Sequence, residues 1–265
     1  MTNADHAVIC LSGGLDSTSL LVRLLAEGRC VHGISFDYGQ KHKIELQRLE
    51  ANLDYLANHD LAIDWHLVDL STIGPLLDSA LTTDTWDVPT GFYEAENMKQ
   101  TVVPNRNAIF AAIAFASALS IAQKHDSHVD ICLGVHSGDH AIYPDCRPEF
   151  YESVFHAFQI GNWDSERIHL YLPYLKLDKR KILKDAQSNI DKLGLDFETI
   201  YFNTITSYAP DVEGNSSGLT GSDVERILAF NQLGLQDPIP YAAPWKDVVK
   251  QALKFEAEHM AKKNG

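Results

Sequence analysis

The chain has 265 residues, 45% hydrophobic and 22% charged, enough for one sizeable core with a small C-terminal subdomain. A formal net charge of −14, from 22 basic and 36 acidic side chains, argues against a general binder of nucleic acid or anionic membrane, so an anion site must be locally basic. Cys10, Cys30, Cys132 and Cys146 form no C-x-x-C pair, no apolar run reaches about 18 residues, and the first six residues carry no targeting signal; a cytoplasmic chain without a zinc knuckle or disulfide framework is expected.

Residues 7–11 read as a buried strand, and Leu20, Leu21, Val22, Leu24 and Leu25 as the apolar face of the helix that follows. Between them lies Leu11-Ser12-Gly13-Gly14-Leu15-Asp16-Ser17-Thr18. A glycine pair lets backbone N–H groups approach an anion, and the helix N-terminus adds a positive dipole. Ser12, Ser17 and Thr18 add hydroxyl donors, so residues 11–18 form a candidate cradle for a phosphate or pyrophosphate. The loop lacks the Gly-Lys-Ser/Thr ending of a P-loop and does not fit G-x-G-x-x-G. It resembles the pyrophosphate loop of the ATP pyrophosphatases, which split ATP between its α and β phosphates. Asp16 beside a phosphate calls for a bound Mg²⁺, because carboxylate and phosphate oxygens share that ion.

Strands follow at 31–36, 62–67 and 129–135, and helices at 44–58, 109–122, 150–160 and 179–193. The stretch 70–103, with Gly74, Pro75, Pro89 and Gly91, is long for a connection and reads as a lid or partner-binding loop. Strands alternating with helices predict an α/β fold, a doubly wound parallel sheet with ligands above the carboxyl ends of its strands. The expected division is an ATP-binding α/β domain at 1–200 and a C-terminal segment at 201–265.

The unusual chemistry clusters at the ends of these elements. Asp37-Tyr38-Gly39-Gln40 follows the second strand, Val103-Pro104-Asn105-Arg106-Asn107 precedes an Ala-rich helix, and residues 134–139 lead from a strand towards residues 143–150. Tyr38, Gln40, Arg106, Asn107, Tyr143, Asp145, Arg147 and Glu149 are the candidate substrate contacts. Asp16, Arg106, Asp139 and Lys179 are the candidate catalytic residues.

At these motifs the chain resembles the 7-cyano-7-deazaguanine synthases of the queuosine pathway. The residues that carry the resemblance are 11–18, Phe-Asp-Tyr-Gly-Gln at 36–40, Ser-Ala-Leu-Thr at 79–82 and Val-Pro-Asn-Arg-Asn at 103–107. They continue with Tyr-Pro-Asp-Cys-Arg-Pro-Glu-Phe at 143–150 and Asp-Pro-Ile-Pro-Tyr at 237–241. The resemblance implies an adenine nucleotide alpha hydrolase-like, Rossmann-like fold. It also implies ATP-dependent adenylylation of 7-carboxy-7-deazaguanine and attack by ammonia, giving an amide and then the nitrile. Arg106 and Lys179 then face the transferring phosphate or the substrate carboxylate. Asp145 or Glu149 accepts from a guanine-like edge. Asp139 binds metal or orients the amine, and His136 and His140 are candidate proton shuttles. Cys146 reads as a packed thiol. A homodimer is expected.

The sequence leaves the family pattern at its C-terminal zinc site. The positions where the family carries cysteines read Ser207, Ser217, Thr220 and Asp223, while Thr204, Tyr208, Gly218 and Arg226 keep the frame. Hydroxyls do not replace thiolates on zinc, so no structural zinc is expected. Beyond Tyr241, residues Trp245, Val248, Val249, Ala252 and Phe255 lie at helical spacing and read as a helix docking on its own domain or on a partner. This departure opens two alternatives: conjugation of the deazaguanine to a protein amine, as in antiviral defence, and a retired nucleotide-binding module.

Overall fold

The computed structural model describes residues 5–40, 44–82, 86–136, 138, 142–211 and 213–263. Alternation along the strands sets its layers. On β1 (His6–Cys10), Ala7 and Ile9 enter one core cluster and Val8 enters another. On β2 (Cys30–Asp37), Val31 joins the first, and Ile34 and Phe36 join the second. A strand with apolar residues on both faces needs helices on both sides.

Those helices are α1 (Leu15–Ala26), α2 (Ile44–Ala57) and α5 (Lys179–Leu193) on one face, and α3 (Arg106–His125) and α4 (Pro148–Gly161) on the other. With β3 (Asp64–Asp69), β4 (Val129–Cys132) and β5 (Ile168–Tyr171), the strands form one parallel sheet in the order β3-β2-β1-β4-β5. The fold is therefore the α/β, doubly wound parallel sheet expected. The winding reverses between β1 and β4, and a crevice opens there at the carboxyl ends of the strands.

Several elements differ from the sequence expectation. β3 lies two residues further along, because its ladder follows β2 from His32↔Asp64 to Asp37↔Asp69 rather than its own apolar residues. β4 stops at Cys132, where its partner β5 ends at Tyr171. β5 itself was not anticipated, and neither were α6 (Phe197–Phe202) and α7 (Gly221–Gln232).

α3 is long and apolar enough, by length and composition, to cross a membrane. Its Ala111, Ala114, Ala118 and Ala122 are buried, and Ala114, Ala118 and Ala122 share a cluster with Val8 and Ile131 of the sheet. The last helix, α8 (Trp245–Lys263), buries Val248 and Ala252 against Phe92, Val224, Ile227 and Leu228, so the C-terminal tail docks on its own chain.

Two buried polar hubs order the segment between α6 and α8. Arg226 and Asp237 are fully buried and joined by two hydrogen bonds of 2.6 and 2.9 Å. Arg226 also donates to Thr204 Oγ1, Thr206 Oγ1 and the Tyr201 carbonyl. The second hub is Asp223, 1% exposed. It accepts from Ser207 Oγ at 3.1 Å, Ser216 Oγ at 2.6 Å, Ser217 Oγ at 2.9 Å and Thr220 Oγ1 at 2.8 Å. Ser207, Ser217, Thr220 and Asp223 thus meet at one point, with a carboxylate at the centre and hydroxyls around it. Thr220 and Asp223 also form the capping box that starts α7.

Candidate active site

The crevice holds a cavity of about 300 Å³. Its floor is the turn between β1 and α1. Gly13 adopts φ +79°, and a Cβ there would stand 2.2 Å from the Glu45 carbonyl oxygen, so only glycine lets this turn press on the start of α2. The Gly13 carbonyl accepts from Ile205 N at 3.1 Å, which ties the turn to the C-terminal segment. Ser12 and Ser17 bond to each other at 3.1 Å, and Gly14 N–H donates to Ser12 Oγ at 3.2 Å. Gly14 is the N-cap of α1 and offers no side chain to its first N–H groups, which leaves donors for an anion.

Leu11, Ser12, Gly14, Asp16 and Ser17 line the cavity. Leu15 and Thr18 are buried in the interior instead, and neither they nor Gly13 are among its lining. Asp16 Oδ1 is buried without a hydrogen-bond partner, an anionic oxygen in the cavity wall suited to a cation.

Lys179 opens α5 and is 5% exposed at its side chain. A cation at a helix N-terminus opposes the dipole, and two carboxylates offset it. The ammonium lies 2.8 Å from Glu225 Oε2 and 3.2 Å from Asp16 Oδ2. Buried His136 completes the cluster, with Nε2 at 3.7 Å from Asp16 Oδ2 and Nδ1 at 3.7 Å from Glu225 Oε1. Gly138 N–H donates to His136 Nδ1 at 3.1 Å, so the neutral ring carries its proton on Nε2, towards Asp16.

Across the cavity, Arg106 opens α3, its Nη1 3.4 Å from Tyr38 Oη and its guanidinium 5.8 Å from the Tyr38 ring centroid. Desolvation pushes the Glu45 carboxyl up to about 7, against the pull of Arg106. The remaining wall is aromatic, with Phe36 stacked on Phe110 at 4.0 Å and Tyr93, Tyr143, Tyr151 and Tyr208 around them.

Of the sequence candidates, Tyr38, Gln40, Arg106, Asn107, Tyr143 and Lys179 line the same cavity as the loop. Asp145, Arg147 and Glu149 do not line it. In the turn Pro144–Cys146 and the start of α4, Tyr143, Cys146 and Tyr151 face inward instead. Asp139 and His140 lie outside the described residues. Glu45 and Glu225 were not anticipated. Glu225 had a signal, since Gly221, Ser222 and Glu225 fall on one face of a helix, but only once residues 221–232 are read as helical. Glu45 had none. The stretch 70–103 supplies Leu81, Tyr93 and Met98 to the cavity wall, and Gly91 N donates to the Leu219 carbonyl at 2.9 Å.

A family model described as Queuosine biosynthesis protein QueC matches residues 6–234. The 7-cyano-7-deazaguanine synthase 1 of Colwellia psychrerythraea is 42% identical over 238 residues, covering 90% of this chain and 99% of that protein. The 7-cyano-7-deazaguanine synthase of Caldicellulosiruptor bescii is 39% identical over 236 residues, covering 89% and 97%. That of Methanoregula boonei is 40% identical over 235 residues, covering 89% and 98%.

Proposed function

The chain belongs to the QueC family of queuosine biosynthesis proteins, and from that premise we propose that it makes the nitrile of a 7-deazaguanine from the carboxylate, ammonia and ATP. The observation that carries this reading is a single cavity lined by the Ser12–Ser17 turn, Arg106 and Lys179. The substrate carboxylate attacks the α-phosphorus of ATP and pyrophosphate leaves, giving an acyl adenylate. Ammonia attacks the acyl carbon, a C–N bond forms, the C–O bond to AMP breaks and a proton is lost. The amide oxygen then attacks a second ATP at its α-phosphorus, and a second pyrophosphate leaves. Loss of AMP and of the remaining N–H protons leaves the nitrile. Neither a carboxylate nor an amide oxygen leaves readily, and adenylylation converts both into leaving groups.

This chemistry asks the protein for positioning and for charge opposite the α-phosphate. The α1 N-terminus and the serine hydroxyls suit the pyrophosphate. Arg106 suits a bidentate grip on a phosphate or carboxylate. Lys179, held by Asp16 and Glu225, places a fixed positive charge between the turn and α7. The aromatic wall suits a planar bicyclic ring. Glu45, whose carboxyl is near neutrality, is placed to accept the proton that ammonia sheds.

The orphaned oxygen of Asp16 fits Mg²⁺, which would supply positive charge to the pyrophosphate when bound. The hydrogen bonds that Asp223 accepts from Ser207, Ser216, Ser217 and Thr220, at the point where the family's metal ligands would converge, support a reading in which residues 204–230 are ordered by this network and not by zinc.

The test is incubation of the full chain with ATP, Mg²⁺, 7-carboxy-7-deazaguanine and ammonia, with AMP and pyrophosphate assayed and the product weighed by mass spectrometry. Release of AMP with the nitrile mass supports the reading. Turnover only when a protein acceptor is added would replace it with conjugation, and no turnover would leave a nucleotide-binding module.

A further inference from the structure

Far from the cavity, at the amino ends of β1 and β2, the sheet gathers a second set of reactive side chains. His6 and Cys30 are register partners, and His32 follows Cys30 by two residues, so strand alternation puts all three on one face. That face continues through Val8 and Ile34 into the cluster covered by α3. Where α3 ends, its His125 ring packs on His6 at 4.6 Å between centroids. His6 Nδ1 lies 3.0 Å from His32 Nε2, and Cys30 Sγ lies 3.8 Å from the same nitrogen. The ligand atoms of His6, Cys30 and His32 all fall within 4.8 Å of one another, the one such group among the described residues.

We propose that His6 Nδ1, His32 Nε2 and Cys30 Sγ bind a late first-row divalent cation of the Zn²⁺ type, with water in the fourth position. Tetrahedral zinc at ~2.0–2.1 Å from nitrogen and ~2.3 Å from sulfur sets ligand atoms about 3.4 Å (N···N) and 3.6 Å (N···S) apart. The observed 3.0 and 3.8 Å need only small side-chain adjustment. The donor set, two imidazoles and a thiolate, excludes Mg²⁺ and Ca²⁺, which take oxygen ligands.

A second observation points the same way. His32 Nδ1 sits 3.2 Å from Asp64 Oδ2 on the neighbouring strand. A carboxylate on one ring nitrogen fixes the tautomer and turns the lone pair of the other towards the cluster, as metal-bound histidines require. Without a cation, His6 and His32 share one proton between facing nitrogens. Binding expels that proton and the thiol proton, so uptake strengthens as pH rises.

Co²⁺ titrated into tag-free, chelator-treated, reduced full-length chain tests this by absorption. The expected result is one equivalent bound, a thiolate-to-metal charge-transfer band in the near ultraviolet, and displacement by Zn²⁺. Cys30→Ser should abolish the charge-transfer band, and Asp64→Asn should weaken binding roughly 10–100-fold. Both side chains are exposed, so the variants should fold normally. Absence of stoichiometric uptake, a spectrum without the charge-transfer band, or a spectrum unchanged in Cys30→Ser would overturn the proposal.

Discussion

Replacing Asp223 with alanine removes the acceptor on which residues 204–230 converge. The carboxylate takes hydrogen bonds from the hydroxyls of Ser207, Ser216 and Ser217, and from Thr220 through both its backbone N–H and its hydroxyl. Loss of the helix cap costs about 1 kcal/mol. Leaving the three serine hydroxyls without their acceptor costs about 1 kcal/mol each at the low end of the range for buried groups. Asp223→Ala should therefore destabilise by roughly 4 kcal/mol, and Asp223→Asn, which keeps one acceptor oxygen, by about half that. Urea denaturation at pH 7 measures the loss. Hydrogen exchange should place it in residues 204–230, with faster exchange at the start of α7. A value within ~1 kcal/mol of the parent would refute the assignment of Asp223 as the organising group. So would a parent chain whose 204–230 protection disappears on chelation, because a metal would then hold the segment.

Four further expectations test the cavity. Glu45 titrates at about 7 in the folded chain against an ordinary 4.5, so the native state holds its proton more tightly than the unfolded state. That costs stability as pH rises from 4.5 through 7, up to ~3 kcal/mol. Glu45→Gln should therefore be more stable than the parent at pH 8 and no more stable at pH 4, and parallel stability–pH curves in denaturant would refute this. Gly13→Ala should lose ~1–3 kcal/mol through its positive φ, with the clash against the Glu45 carbonyl adding to it; a thermal melt equal to the parent's would show that the turn is slack. Lys179→Met should cut AMP-forming turnover by ~10²-fold or more, with Lys179→Arg failing to rescue it because the side chain is buried between two carboxylates. Removal of Mg²⁺ with EDTA should abolish AMP release, and Asp16→Asn should raise the Mg²⁺ concentration needed for half-maximal rate; an unchanged Mg²⁺ requirement would separate Asp16 from the ion.

The legible parts of this fold are those whose residues answer to one local rule. β1 has apolar residues in the clusters on both faces, and α5 begins after a capping aspartate, Asp178, and ends at Gly194 with φ +69°. β5 escaped because Ile168-His169-Leu170-Tyr171 is short and alternates with a polar residue. α7 escaped although Thr220 and Asp223 form a local capping box, because its inward face carries Arg226, whose partners Asp237, Thr204 and Thr206 lie outside the helix. A charge that is satisfied only by tertiary neighbours looks, in sequence, like a solvated one. Lys179 shows the same effect. In Lys179-Arg180-Lys181 nothing local separates the buried side chain from the other two, and Asp16 and Glu225 arrive from 163 residues before and 46 residues after. Within 143–150 the conspicuous carboxylates are off the cavity, because a tight turn followed by a helix brings Tyr143, Cys146 and Tyr151 round to it.

Charge in the cavity completes the case for a cation beside the nucleotide. Among the described lining residues, Arg106 and Lys179 are cationic, and Asp16, Glu45 and Glu225 are acidic. Lys179 is already ion-paired to two of those acids, which leaves less of its field for a phosphate than a free lysine would offer. The background is a chain of net charge −14. An incoming triphosphate therefore meets backbone N–H groups and Arg106, but little net positive charge. Helix N-termini contribute about half a charge each. That falls short of a polyanion, and the deficit has a natural remedy at the orphaned Asp16 oxygen, where a divalent ion would be shared with the phosphates. On the proposed function, the same acidic surroundings would discourage a nucleotide arriving without its metal, and the carboxylates that repel bare ATP would favour its magnesium complex.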